Sequence, residues 1–340
     1  MLIPRHLWAW TICFICVAAC NSSQQNEFGT THTASADQDH PVDIAPIVLN
    51  IQLPPQPCKA GFCIVLPVTE LGSGRAGFDA IWGSPEGEIW GAGFDASVVH
   101  WNKKEWRQWP YMGSFTGLWG FGARDVWAVG DNIVRWNGTQ WETRKAGLKL
   151  PRGLLWNIWG TDPNNIWAAG EFGTIARWNG TSWSEEKLDE GDISKISGAS
   201  AKNMWTLGGT PSVLSRWDGT RWSSVPLPNT EVFYHALWVS GDHDVWLGAK
   251  NLIAHWNGTG WTDHAVDGWV ESIYGRGDRL VATGARENGA FLVEWKGTTW
   301  TDIPIPDLGQ QKGLSYAKAI YVDHQGKVWL SLTNGALLTR

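Results

Sequence analysis

Large apolar side chains recur along this chain in short runs broken by Gly, Pro, Asn and Asp. Downstream of residue 41 only one stretch free of Gly and Pro exceeds 12 residues, Phe94 to Trp109. Long amphipathic helices are therefore disfavoured, and short strands joined by frequent turns are predicted. Within the runs the aromatic residues keep a register. One series sits in Leu-Trp-Gly-like segments at Trp82, Trp119, Trp159, then Ser197 in the Trp slot, then Trp238, Tyr274 and Tyr321. A second follows about eight residues later at Trp90, Trp127, Trp167, Trp205, Trp246 and Trp329, with Val281 in the remaining slot. A third is Trp101, Trp136, Trp178, Trp217, Trp256 and Trp295, and a fourth comes five residues after each, at Trp106, Trp141, Trp183, Trp222, Trp261 and Trp300.

Four strands per repeat, A to D, at steps of 36 to 47 residues predict a propeller of meander sheets. The C-to-D link, as in Trp136-Asn137-Gly138-Thr139-Gln140-Trp141, carries Asn-Gly. It predicts a type I′ turn in which Trp136 pairs with Thr139 and Val134 with Trp141. The seventh repeat stops at Gly335–Arg340 without a strand D, and the clearest unassigned β-like run, Phe62 to Val68, lies just upstream of the first repeat. The expected fold is all-β: a seven-bladed β-propeller over residues 58–340, with an N-terminal strand completing the last blade.

The repeats resemble tectonin-type Trp-rich propeller repeats in their Arg-Trp-Asn/Asp-Gly-x-x-Trp segments. In Ala168-Ala-Gly-Glu-Phe-Gly-Thr-Ile175 they are similar to the blades of the photosystem II assembly factor and Asp-box families. Arg177-Trp-Asn-Gly-Thr-Ser-Trp183 lacks the Ser and Asp of an Asp box, so the resemblance implies architecture and not sialidase chemistry.

Residues 1–20 place Arg5 and His6 before an apolar run and end Val17-Ala18-Ala19-Cys20. This resembles a bacterial lipobox and implies a lipoprotein signal peptide, with Cys20 acylated and the mature chain held on a membrane. Asn21 rather than Asp follows, so the outer membrane of the cell envelope is the expected location. Residues 21–57 open in a polar stretch, Asn21 to about Asp43, and are expected as a flexible tether. Cys58 and Cys63 remain in the globular part and are expected to form a disulfide. A metal pair would need two further soft ligands, so no metal and no cofactor is expected.

Composition narrows the function classes. Charged residues are 18% of the chain and apolar residues 43%, which suits a large core. The net charge of −6, with no block of Lys or Arg, argues against nucleic acid as a partner. No nucleophile elbow, His-Glu-x-x-His or phosphate loop is present. A hydrolase would require acids gathered with Arg or His at one mouth of the channel.

Link lengths separate the two faces of the ring. A-to-B and C-to-D spacings are nearly uniform, whereas B-to-C and D-to-A spacings vary, and recognition is expected on the variable face. Three tryptophans, Trp109, Trp156 and Trp269, fall outside the repeat slots and in D-to-A segments, and are candidate ligand anchors. Arg152, Glu171, His235 and Arg286 are the polar candidates beside them. The residue before each strand C Trp is a cation in most repeats and is expected to stack on neighbouring Trp. The expected function is a monomeric, non-enzymatic, membrane-anchored scaffold binding an envelope or extracellular protein. A carbohydrate-binding, lectin-like propeller is the alternative, and a glycoside hydrolase the more remote one.

Overall fold

The structure, a computed structural model, describes residues 39–49, 51, 58–59, 61–66, 77–93, 98–110, 112–148, 153–305 and 316–340. Cys20 and Arg152 lie outside the described residues.

The described chain is an all-β propeller of antiparallel meander sheets. Each sheet starts at a strand A beside a central channel and steps outward, as in Phe115–Gly122, Asp125–Gly130, Ile133–Trp136 and Trp141–Thr143. The sheets number six, which corrects the expected seven blades. Repeats five and six share one six-stranded sheet because the strand Trp261–Arg276 serves as strand D of the first and strand A of the second. Its Trp269 pairs with Lys250 on one side and Ala285 on the other. The link from Trp106 to Trp119 is equally short, but there Pro110 removes a ladder donor and the strand stops at Trp109. Thr262 to Ile273 contains no proline, and there pairing runs straight through.

The C-to-D turn also differs from expectation. Trp136 pairs directly with Trp141, and the same register recurs at Trp178/Trp183, Trp217/Trp222, Trp256/Trp261 and Trp295/Trp300. Four residues form the loop, in which only Gly138 has positive φ (98°). The Asn137 side chain decides this: its Oδ1 accepts from the Thr139 and Gln140 backbone N–H groups at 2.9 and 3.0 Å, an Asx turn that supplants the two-residue hairpin.

Tryptophan fills the wedges between successive sheets by a repeating rule. Each strand B indole packs between the strand C and strand D indoles of the next repeat. Trp127 lies 5.4 Å from Trp178 and 5.9 Å from Trp183, and Trp167 takes the same place against Trp217 and Trp222. In four of the strand B indoles the N–H donates to an acid or amide two residues earlier, Asp125 for Trp127, Asn165 for Trp167, Asn203 for Trp205 and Asp244 for Trp246. In five repeats the residue preceding the strand C Trp covers the other ring face, through Arg135, Arg177 and Arg216 or through His100 and His255 stacked at 3.5 and 3.8 Å. The cations are thereby committed to packing.

The ring is closed by its N-terminal segment. The strand Phe62–Leu66 pairs antiparallel with Leu337–Thr339 and occupies the strand D position of the last sheet. Cys58 and Cys63 are joined by a disulfide beside it. Within the segment expected as tether up to residue 57, the described stretch Asp39 to Leu49 is docked. The Asp39 carboxylate accepts from Arg144 (2.8 Å) and the Lys145 N–H (2.9 Å), and Ile47–Val48 adds a fifth strand to the first sheet. Bare outer edges of two sheets are thereby covered, which removes their unpaired ladder groups from solvent.

Candidate binding face

The strands A surround a cavity of about 130 Å³ along the propeller axis. Toward the uniform A-to-B face its wall is aromatic, with Trp119 6.1 Å from Trp159 and Trp238 4.5 Å from Tyr274. Toward the variable face it is polar: Asp79, Thr116, Asn157, Lys195, Glu271 and Lys318 line it there.

A backbone device builds this polar end. Six strands A carry a β-bulge at the same place, leaving Thr116, Trp156, Ser194, His235, Glu271 and Lys318 as the extra residues. A bulge twists the strand and re-aims the side chain it inserts: of the six, Thr116, Glu271 and Lys318 line the cavity, while in two other strands the residue after the bulge, Asn157 or Lys195, does so. Each of the six extra residues lies three positions before the strand A aromatic slot, and Asp79 holds the same place before Trp82.

The charges of the ring are unequally matched. Lys318 Nζ lies 2.7 Å from Asp79 Oδ1. Lys195 makes no hydrogen bond or ion pair among the described residues, although Glu271 and Asp79 act on it through space. Burial pulls its ammonium below the ordinary lysine range, opposed by those two carboxylates. His235 is likewise pulled down, by burial first and then by the Lys195 charge, against Glu271. Its Nε2 is buried without a hydrogen-bond partner.

Beside His235 the surface becomes aromatic. Its ring meets Phe233 edge-on at 4.7 Å and Trp269 at 5.3 Å, and Lys250 Nζ lies 5.2 Å from the Trp269 ring. Phe233 is 46% and Trp269 41% exposed. Phe172, 62% exposed, sits in a B-to-C loop, and Tyr316, 39% exposed, precedes the last strand A. All four exposed large aromatics of the described residues thus belong to the variable links. Phe172 holds a left-handed backbone (φ 56°, ψ 33°), a conformation unusual for a bulky residue, fixed by its N–H donating to Asp192 Oδ1 at 2.8 Å.

The residues singled out from sequence separate accordingly. Trp109 is buried against Trp90 (6.0 Å) and Trp136 (5.2 Å) between the first two sheets, which corrects its placement among rim anchors. Trp156 and His235 occupy equivalent bulges, and Trp269 reaches solvent. Glu171 staples its loop, accepting from the Leu154 N–H at 3.1 Å. Arg286 is held by Asp302 at 2.7 Å and lies over Phe291. Sequence reading missed Lys195, Glu271 and Lys318; the signal was their position just before the aromatic slot. The turn Asp242-His243-Asp244 is used by the fold, since Asp242 accepts from Asn203 and Asp244 from Trp246 and His255. Among the described residues no three His, Cys, Asp or Glu side chains gather to hold a metal ion.

No protein-family model matches the chain, and no curated protein matches it. Solved structures do. A streptogramin B lyase structure aligns at TM-score 0.68 with 15% identity, over 79% of this chain and 95% of that one. The RRP9 WD40 repeats align at TM-score 0.65 with 11% identity, over 83% and 98%. YCF48 bound to D1 peptide aligns at TM-score 0.62 with 16% identity, over 79% and 92%. At these identities the likeness shows the fold alone, a β-propeller.

Proposed function

We propose that this protein is a non-enzymatic binding scaffold, anchored in the cell envelope through a lipid on Cys20, which engages a protein partner with the face carrying the B-to-C and D-to-A links. The observation that carries this reading is the gathering of Phe172, Phe233, Trp269 and Tyr316 on that one face. Exposed aromatics on a rigid frame are the usual anchors of protein interfaces. A further point supports it: YCF48, whose D1 peptide complex shares this fold, is a propeller with a peptide partner.

Photo-crosslinking residues placed at Phe172, Phe233 and Tyr316, and at Asp162 and Asp278 on the uniform face, test the reading in envelope preparations. Crosslinks to one protein from the first three positions alone are expected; crosslinks from the second pair alone would reject it. For the anchor, labelled palmitate should enter the wild-type chain and be lost in Cys20→Ser, with the protein leaving the membrane fraction.

A further inference from the structure

The polar end of the channel and the exposed aromatic cluster adjoin at His235, whose chain neighbour Ala236 lines the cavity and whose ring meets Phe233 and Trp269. Lys195 is a half-buried cation with no hydrogen bond or ion pair among the described residues, facing the channel cavity. Lys318, at the equivalent end of another strand A, has its partner in Asp79. A cation withdrawn from water without a direct counter-ion is costly, and a carboxylate entering the cavity recovers that cost as a charge-assisted hydrogen bond. Against the His235 ring, Trp269 and Phe233 offer exposed flat apolar surface that an apolar side chain would cover.

We propose that the channel mouth is an acidic-peptide site: Lys195 receives a carboxylate of the partner, and Trp269 with Phe233 holds an apolar side chain next to it. The idea rests on the binding face proposed above and adds to it the chemistry of the partner. Glu271 sets its selectivity. Its negative charge near Lys195 disfavours a multiply charged anion such as phosphate more than it does a single carboxylate. Apolar contact at Trp269 then gives affinity that charge alone would not.

An array of ten-residue peptides tests this on the full chain, each carrying Asp or Glu beside Phe, Leu or Trp, with Asn or Gln in matched controls. The expected result is a preference of at least about tenfold for acid over amide, abolished in Lys195→Gln. Trp269→Ala should weaken acid and amide peptides alike. Unchanged thermal transitions in both variants exclude unfolding as the cause. No acid preference, or an acid preference that survives Lys195→Gln, overturns the assignment. A parallel array of uronic-acid and sialic-acid glycans provides the other arm: Lys195-dependent binding there, with peptides silent, overturns it too. If Phe172, Phe233 and Tyr316 still crosslink to a protein while Lys195→Gln changes nothing, the peptide site fails and the binding face stands. If no crosslink forms from that face, the broader reading fails.

Discussion

At the residue scale the indoles are not equivalent, and their surroundings separate structural from accessible ones. Trp127 is fully buried between Trp178 and Trp183, with its N–H donating to Asp125. Trp127→Ala would leave a cavity in the wedge between two sheets and is expected to cost about 3–5 kcal/mol, read from urea unfolding. Trp269→Ala removes a ring that is already 41% exposed and should change stability far less in the same measurement. His100 gives a pH signature. Burial, reinforced by the Arg107 charge, pushes its imidazole down to about 3. In the unfolded chain histidine titrates near about 6.5, so below that pH the unfolded state takes up a proton the native state refuses. Stability should therefore fall from about pH 6.5 toward about 3, more steeply in wild type than in His100→Gln. Equal slopes would show that the ring is not buried neutral. These positions were legible because the Trp spacing is rigid; the burial of Trp109 was not, since its burial depends on Trp136 and Trp141 of the next repeat.

At the element scale, turns and bulges decide more than strand propensity. The Asn-Gly pair in the C-to-D link was read as a type I′ hairpin, but Asn137 Oδ1 captures two backbone N–H groups and pulls Trp136 opposite Trp141. Asn137→Ala should cost about 1 kcal/mol, and adding Asn179→Ala should cost about as much again, because the two turns share no partner. The strand Phe62–Leu66 was visible in sequence as an unassigned β-like run, and its partner followed from the missing last strand of the seventh repeat. Ile64→Pro places a residue without an N–H where Ile64 pairs with Leu338 and is expected to lower the thermal transition markedly. The docking of Asp39 to Val48 was hidden because its polar composition matches a tether, and only the exposed edges of two sheets make it useful.

At the scale of the whole molecule, one core region joins each sheet to the next, and the cluster containing Phe78, Trp82, Phe115, Tyr321 and Trp329 ties the last sheet to the first two. Removing residues 1–66 should expose the edge Leu337–Thr339 and promote self-association, seen as a higher apparent mass in light scattering, because an unpaired strand recruits another chain. Periodicity alone set the all-β class, the meander sheets and the division into a uniform and a variable face, since side-chain spacing and link length are local properties of the chain. The number of sheets was settled only in three dimensions, where Trp261–Arg276 pairs with a neighbour on each side and joins two repeats. The charged ring at the channel mouth was settled there too: bulges on separate strands, distant in sequence, converge on one axis, and convergence is a property of the closed ring rather than of any segment within it.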